Sequence, residues 1–180
     1  GGGSGGSGGA VYGFGGFGGF GGGAGTFGGR SGGFGGGIGG FSGGGGGGMG
    51  GALFNDGGTI VLTQVTLANN TAQGGKNNGN NGGSGFGGAV FNYNGSLVVT
   101  LSTLAGNMVV RDLDSYQRSK ALGGAIYSLG DSASNCSAGG NVTCTTNGAT
   151  LLMNGSIAYG STTQTSDVVL DTRPPGIDTI

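Results

Sequence analysis

The sequence predicts an all-β protein built from stacked repeats, and three observations support this class. A Gly-Gly-Ala-apolar-aromatic motif recurs, and its second glycines lie 37 and then 36 positions apart. Runs rich in β-branched residues follow each motif after a glycine-containing turn. No segment shows the apolar spacing and caps of a helix. A fixed period in this range is typical of units that bury their apolar faces against one another.

Each repeat is expected to contain about three short strands, because each apolar run is bounded by turn residues. In the first repeat they are predicted at 52–55, 59–64 and 65–68, and the second repeat has their equivalents. In the third repeat the β-branched run, 149–159, is delayed by a loop that holds both cysteines. A last strand is predicted at 167–171, before two prolines end regular pairing. Equivalent strands of successive repeats are expected to pair in parallel.

The motif itself is predicted to form the tight corner at which each repeat begins. Glycine provides a positive φ angle or close backbone approach there, and the small alanine is expected to point inward. The corner residues are Gly50, Gly51, Ala52, Gly87, Gly88, Ala89, Gly123, Gly124 and Ala125. A fainter copy spans Gly8 to Gly13. If this copy is also a corner, the glycine-rich head is one oversized loop of the first coil.

The chain is divided into a Gly/Phe-rich segment of low complexity, residues 1–49, and the repeats with a C-terminal arm, residues 50–180. In the first segment Phe14, Phe17 and Phe20 are spaced by three, which matches the three residues per turn of a polyproline-II helix. Glycine edges of such helices are expected to pack backbone against backbone, with the rings on a neighbouring surface. A flexible Gly/Phe linker is the alternative.

The sequence Gly-Gly-Ala-(Leu/Val/Ile)-(Phe/Tyr)-Asn, followed by a glycine turn and a Thr/Val-rich run, resembles a known repeat family. The family is that of the right-handed parallel β-helix repeats of bacterial surface proteins, including polymorphic outer-membrane proteins and autotransporter-like adhesins. The resemblance covers residues 50–170 and implies a short right-handed parallel β-helix, or solenoid, with glycine-rich loops. It also implies a ladder of corner asparagines, which Asn70 and Asn107 match, whereas Gly160 takes that place in the third repeat.

Composition excludes several classes of function. Charged residues make up 7% of the chain, the net charge is -1 and there is no histidine, so neither nucleic acid nor an anionic membrane is expected as a partner. No apolar run is long enough for a transmembrane helix. Asp112 and Asp114 lie in a predicted loop, and Asp167 and Asp171 flank a strand at opposite ends. No catalytic carboxylate pair, metal site or cofactor is therefore expected, and the chain is not predicted to be an enzyme.

Two cysteines and five asparagines are candidates for covalent modification. Cys136 and Cys144 have no histidine nearby and are too few to hold a metal ion, so a short-loop disulfide is predicted. A disulfide favours a location outside the cytoplasm. Candidate glycosylation sites in Asn-x-Ser/Thr sequons are Asn69, Asn94, Asn135, Asn141 and Asn154.

The first functional hypothesis is a secreted structural protein that assembles with itself into a filament or cell-surface layer. A short stack of repeats has unpaired strands at both ends, and head-to-tail stacking of identical copies satisfies them. The arm that crosses to the next subunit is predicted to lie in the head or in the tail. Its candidate residues are Phe14, Phe17, Phe20, Ile177 and Ile180.

Two other hypotheses remain open. The chain is alternatively an adhesin fragment of a larger secreted surface protein, whose stacked loops at 74–85 and 110–122 bind a cell-surface or matrix ligand. A third hypothesis is a binder of ice or polysaccharide surfaces that uses a flat threonine or glycine face. It ranks last because the strand threonines are expected not to keep one register across the repeats. These threonines are Thr59, Thr63, Thr66, Thr100 and Thr103.

Overall fold

A computed structural model describes residues 18–25, 31–40, 43–77, 82–112, 119–131, 134–136, 144–146, 148–161 and 166–173. All regular elements within these ranges are β-strands, so the predicted all-β class is confirmed. In chain order the strands are β1 (Gly48–Met49), β2 (Leu53–Asp56), β3 (Thr59–Thr63), β4 (Thr66–Ala68), β5 (Thr71–Gln73), β6 (Gly85–Phe86), β7 (Val90–Tyr93), β8 (Ser96–Thr100), β9 (Thr103–Ala105), β10 (Met108–Val110), β11 (Ala121–Leu122), β12 (Ile126–Asp131), β13 (Ser134–Cys136), β14 (Cys144–Thr146), β15 (Thr150–Asn154), β16 (Ile157–Tyr159) and β17 (Val168–Arg173).

Strands at the same position in successive repeats pair in parallel, as predicted. The parallel sheets are β1-β6-β11, β2-β7-β12-β17, β3-β8-β15, β4-β9-β16 and β5-β10. The first repeat therefore comprises β2 to β5, the second comprises β7 to β10, and the third comprises β12, β15 and β16. Strand β17 pairs with β12 and begins a fourth level. The insertion in the third repeat forms an antiparallel hairpin of β13 and β14, with Cys136 opposite Cys144.

The repeats contain two kinds of strand that the sequence prediction missed. Strands β1, β6 and β11 have two residues each, and β5 and β10 follow the last strand that was predicted in the first and second repeats. Neither kind has the alternating pattern that marks a strand in isolation. They form because the same stretch of the neighbouring repeat lies alongside and supplies hydrogen-bond partners. Met108, for example, lies opposite Thr71.

The interior between the sheets is filled by alternate strand residues. Val90, Leu97, Val99, Leu104 and Ile126 are fully buried and form one continuous apolar cluster. Side chains of a strand point alternately to its two faces, so the residues between them point outward. The second repeat contributes most of this cluster because it is covered on both sides.

The strand threonines of the first two repeats do share one register, and the expectation that they do not is wrong for these repeats. Thr63 lies opposite Thr100, and Thr66 lies opposite Thr103. Thr59 lies opposite Ser96. The first two repeats have the same number of residues between β3 and β4, so equal positions stay aligned along both strands. The outer face of these sheets thus carries aligned rows of hydroxyl groups.

Each repeat begins at the glycine corner. The first glycine of the motif has a positive φ angle in all three copies, 62° at Gly50, 63° at Gly87 and 69° at Gly123. The second glycine allows close approach, because a Cβ atom on Gly51 would lie 2.1 Å from the carbonyl oxygen of Gly88. The alanines of the second and third copies are fully buried. Positive φ is unfavourable for residues with a Cβ, which explains why glycine opens the corner.

The glycine-rich segment forms a hydrogen-bonded layer, which we call the glycine layer and define as residues 18–25, 31–40 and 43–47. Every third backbone N–H of the first stretch donates to every third carbonyl of the second stretch. The bonds run from Gly18 to Ser31, from Gly21 to Phe34 and from Ala24 to Gly37, at 3.3, 3.1 and 3.1 Å. A period of three matches the three residues per turn of extended glycine-rich helices.

A second apolar cluster joins the glycine layer to the outer face of the sheet β2-β7-β12-β17. Phe54, Phe91 and Tyr127 stack along this face, with ring centroids 5.3 and 5.6 Å apart. Phe34 of the glycine layer lies 5.9 Å from Phe91, and Phe20 lies 5.3 Å from Phe34. Aromatic rings at such distances gain packing energy beyond simple burial. The sheet is therefore apolar on both faces.

Candidate functional site

The most distinctive surfaces of the described structure are the two ends of the stack. Leu97 and Val99 in the middle of the stack are fully buried, but their register partners at both ends are only partly buried. These partners are Ile60 and Leu62 in the first repeat and Leu151 and Met153 in the third. Interior-facing apolar side chains are thus left partly in contact with solvent at each end.

The outermost strands also have backbone groups that face no further strand among the described residues. In a parallel ladder alternate residues bond to opposite neighbours. Leu53 donates to the carbonyl of Ala89 and Gly57 to that of Tyr93, both in the second repeat, so the backbone N–H of Phe54 faces the first end. At the other end, Ile126 donates to the carbonyl of Asp167, which shows that Asp167 and every second residue after it bond to β12. Leu170 belongs to the alternate set, so its backbone N–H faces the last end. An open edge of this kind is a template for another strand.

The last end has a step. Strand β17 stands one level beyond β15 and β16, because it pairs with β12 of the third repeat. Among the described residues the first end has no such step, since β2, β3 and β4 each pair there with a strand of the second repeat alone. The two ends are therefore different surfaces, and a contact between them joins a first end to a last end.

A buried polar ladder runs along the stack through the first strand of each repeat, at the aligned positions of β2, β7 and β12. Asn55 donates through Nδ2 to Asn92 Oδ1 at 2.8 Å, and Asn92 donates to Ser128 Oγ at 2.9 Å. Asn92 also donates to the carbonyl of Gly95 at 3.0 Å. Because buried polar groups need partners, this ladder fixes the register of the repeats. The sequence motif contains Asn55 and Asn92 at equal positions, 37 residues apart, which was the available signal for a ladder here.

The corner asparagines implied by the family resemblance also meet. Asn70 donates through both its backbone N–H and Nδ2 to Asn107 Oδ1, at 3.0 and 2.9 Å. Strand β16 pairs with β9 so that Tyr159 lies opposite Ala105. Continued by one residue, this register places Gly160 level with Gly106 and not with Asn107. Gly160 is therefore not the third member, and the assignment of that position to Gly160 is wrong by one residue. Ser161 is the residue level with Asn107.

The candidate arm residues fall in different places. Phe20 lies in the glycine layer and packs on its own chain, with its ring 4.8 Å from that of Tyr93. Phe14, Phe17, Ile177 and Ile180 lie outside the described residues, so their role stays a prediction. The fainter motif, Gly8 to Gly13, also lies outside them.

The candidate modification sites are only partly described. Asn69 and Asn94 are at corners with positive φ, 57° and 51°, and Asn154 is exposed at the end of β15. Asn135 lies within β13, and Asn141 is outside the described residues. The backbone places Cys136 and Cys144 side by side across the hairpin, and the disulfide itself stays a prediction.

The loops that the adhesin hypothesis uses as a contact face are partly engaged inside the molecule. Gly75 donates to the carbonyl of Gly46 at 2.7 Å, and Ser84 donates to the carbonyl of Gly35 at 2.8 Å. The backbone N–H of Asn77 donates to Asp112 Oδ2 at 2.9 Å, which ties the two loops together. The described parts of both loops therefore extend the glycine layer.

Within the described ranges, no group of three or more potential metal ligands comes together. The same residues include no helix of the length and apolarity needed to cross a membrane. No protein-family model matches the chain, and comparisons with curated proteins and with solved structures found no match. Its function is therefore inferred from its own contacts.

Proposed function

We propose that the chain is a structural protein that assembles with itself outside the cell, as a subunit of a filament or surface layer. Its repeats form a short right-handed parallel β-helix, and the last end of one copy docks on the first end of the next. A head-to-tail contact between two different surfaces leaves a free end on every copy that is added, and copies that stack along the axis of the strand ladders therefore form an open fibre. The disulfide of Cys136 with Cys144 stabilises the hairpin in this oxidising environment.

The partial burial of interior residues at both ends is the observation that carries this proposal. Within the chain, each repeat covers its neighbour with equivalent strands in register, and a second copy offers the same surface again. Continuing the register places Leu53 of one copy against Val168 of the other, and Phe54 against Val169. Each new contact buries apolar surface at roughly 25 cal/mol per Å² and adds backbone hydrogen bonds along the joined edges.

A proline at Leu170 is expected to stop assembly without unfolding the monomer. The N–H of Leu170 faces the open edge, so its loss removes no bond within the chain, whereas a docking strand loses a partner. Val169 is the matched comparison, because its N–H faces β12 and Val169→Pro breaks an internal bond. We expect filaments of the wild-type protein in electron micrographs, none of Leu170→Pro at an unchanged melting temperature, and a destabilised Val169→Pro.

Two outcomes contradict the proposal. One is a wild-type protein that sediments as a monomer at every concentration and salt condition. The other is polymer formation only after removal of residues 1–17, which contain the fainter motif. That result means that residues 1–17 of the same chain cover the first end, so a second copy does not dock there in the intact protein.

Assembly is expected to be limited by charge. The continued register brings Asp56 of one copy opposite Asp171 of its neighbour, and like charges directly opposite each other are destabilising. Asp56→Asn is therefore expected to lower the concentration needed for assembly, by roughly threefold if the repulsion costs about 0.6 kcal/mol. Added salt acts in the same direction through screening. Light scattering measures this concentration, and Asp112→Asn, which changes the net charge equally at a distance from the ends, is the control.

A further inference from the structure

The outer face of the sheet β3-β8-β15 carries the same three classes of side chain in every repeat. Each of these strands has five residues, and the second and fourth point into the apolar interior. The first, third and fifth therefore point outward. The first is a hydroxyl residue, the third is aliphatic, and the fifth is polar and uncharged. In chain order they are Thr59, Val61 and Thr63 in β3, Ser96, Val98 and Thr100 in β8, and Thr150, Leu152 and Asn154 in β15.

The strand register aligns these nine residues in three rows along the stack, which we call the outer rows. Neighbouring strands lie about 4.8 Å apart, and alternate residues of one strand lie about 6.6 Å apart. An aliphatic row thus runs along the stack between two rows of polar side chains. Val61 and Leu152 of the aliphatic row are 62% and 59% exposed, so this row is accessible to a ligand.

The polar side chains of the outer rows make no hydrogen bond within the described part of the chain. Other aligned polar side chains do make such bonds. Asn55 donates to Asn92 at 2.8 Å, and the hydroxyl of Ser102 donates to the carbonyl of Thr100 at 2.8 Å. Hydroxyl and amide groups both donate and accept hydrogen bonds. The two polar rows therefore offer six such groups to a ligand.

Repetition of the chain alone does not explain why the outer rows are kept. On the neighbouring sheet β4-β9-β16, the third repeat has Ile157 where the first two have Thr66 and Thr103, so a hydroxyl group is lost there. On β15 the residues also change, but their class does not. Asn154, for example, takes the position of Thr100 and keeps its capacity for hydrogen bonding. What the outer rows retain is thus hydrogen bonding on both sides of an aliphatic row.

We propose that the outer rows bind an uncharged polysaccharide whose chains are flat ribbons, such as a β-1,4-linked glucan or chitin. The sugar rings of such a ribbon present C–H groups on their faces and hydroxyl groups along both edges. When the ribbon lies along the stack, its ring faces contact the aliphatic row and its edges meet the two polar rows. The order polar, aliphatic, polar across the strands matches the order edge, face, edge across the ribbon.

The spacing along the stack supports the same ligand. Successive repeats follow one another at about 4.8 Å, which is close to the length of one sugar ring along an extended β-1,4-linked chain. Successive rings therefore meet successive repeats and find the same three side-chain classes at each. A globular protein partner presents no such repeat at the spacing of the strands.

The side chains of the outer rows argue against two other extended ligands. A charged polymer requires groups of opposite charge, and none of the nine residues is charged. Ice requires a surface of constant shape. Ser96 and Asn154 lack the methyl group of threonine, and Leu152 is longer than valine, so the shape differs between the repeats. Sugar hydroxyls accept these changes because each substituted polar group still donates and accepts.

The inference goes beyond self-assembly and is tested in the Leu170→Pro chain, where assembly does not contribute to retention. This chain is expected to sediment with microcrystalline cellulose or with chitin. Binding to either supports the proposal, and comparison of the two identifies the preferred sugar. An excess of soluble amylose is expected not to release the protein, because its α-linked chain coils and presents no flat ribbon.

Two variants test the two kinds of row. Thr59→Val combined with Thr63→Val removes two hydroxyl groups at nearly constant shape and is expected to weaken binding about tenfold. Val61→Gln places an amide in the aliphatic row and is expected to weaken binding similarly, since ring faces then lose an apolar contact. Melting temperatures of all variants are measured alongside, and little change is expected because these side chains are exposed.

Thr66→Val is the matched control, since it makes the same chemical change at an exposed position on the neighbouring sheet, outside the outer rows. It is expected to leave binding unchanged, and an equal loss in this variant overturns the proposal. A Leu170→Pro chain that binds neither polysaccharide overturns it, as does binding that persists unchanged in the double variant and in Val61→Gln. Inhibition of ice-crystal growth without polysaccharide binding assigns the outer rows to ice and also overturns it. Failure of end-to-end assembly, in contrast, leaves this test unaffected.

Discussion

Replacing Gly33 by alanine is expected to disrupt the glycine layer. A Cβ atom at this position would lie 1.8 Å from the carbonyl oxygen of Gly19 and 2.4 Å from its carbonyl carbon, both of which are backbone atoms that no side-chain rotation can move aside. Forcing apart tightly packed groups costs about 3 kcal/mol at the upper end of the usual range. Chemical denaturation measures the loss, and binding of a hydrophobic dye reports exposure of Phe34 and the stacked rings beneath the layer.

Gly19 provides the matched control for this substitution. It faces Gly33 across the layer, but a Cβ atom on Gly19 would meet nothing within 4 Å, and its φ angle is not positive. Gly19→Ala is therefore expected to change the free energy of unfolding by about 0.5 kcal/mol or less. Equal effects of the two substitutions contradict the packing described for this layer, because one site is crowded and the other is open.

Removing the side chain of Asn92 is expected to have the second large effect. Asn92 is fully buried, accepts from Asn55 and donates to Gly95 and Ser128. Asn92→Ala leaves several of these buried groups without a partner, and each such loss costs about 1–3 kcal/mol. We expect a loss of roughly 3 kcal/mol in the free energy of unfolding, measured by urea denaturation.

Asn154→Ala is the control for the asparagine ladder. Asn154 ends β15 with its side chain exposed, so its removal is expected to cost about 0.5 kcal/mol or less. A loss at Asn92 no larger than the loss at Asn154 contradicts the assignment of the ladder as the element that fixes register. In a chain that carries both Asn55→Ala and Asn92→Ala, we expect a loss of stability similar to that of Asn92→Ala alone. A combined loss smaller than the sum of the two single losses supports coupling between the two asparagines.

The sequence predicted parallel pairing between repeats because its glycine corners recur at nearly constant distance. Gly50, Gly87 and Gly123 each require positive φ, and a glycine retained for that reason is visible without a structure. Strands β5 and β10 were missed because their pairing comes from the neighbouring repeat and not from their own composition. The period of three around Phe20 was recognised, but its contact with Phe34 was missed, because spacing within one stretch does not show which other stretch lies beside it.

The two polar ladders show how far a motif can be interpreted. Asn70 and Asn107 were predicted to meet, but Asn55 and Asn92 were not, although they occupy equal positions in the motif. The position of a residue in the repeat identifies the residues with which it aligns. Burial decides which of the aligned polar side chains must hydrogen-bond to one another.

The glycine layer has a thermodynamic consequence for the whole chain. It buries peptide groups with almost no side chains, so its unfolding exposes polar surface, and hydration of polar surface lowers the heat capacity. Unfolding of the apolar interior raises it. The heat-capacity change per residue is therefore expected to fall below the usual value of roughly 12–15 cal/mol/K. A smaller change flattens the dependence of stability on temperature, so this protein is expected to lose less stability in the cold than a globular domain of equal length.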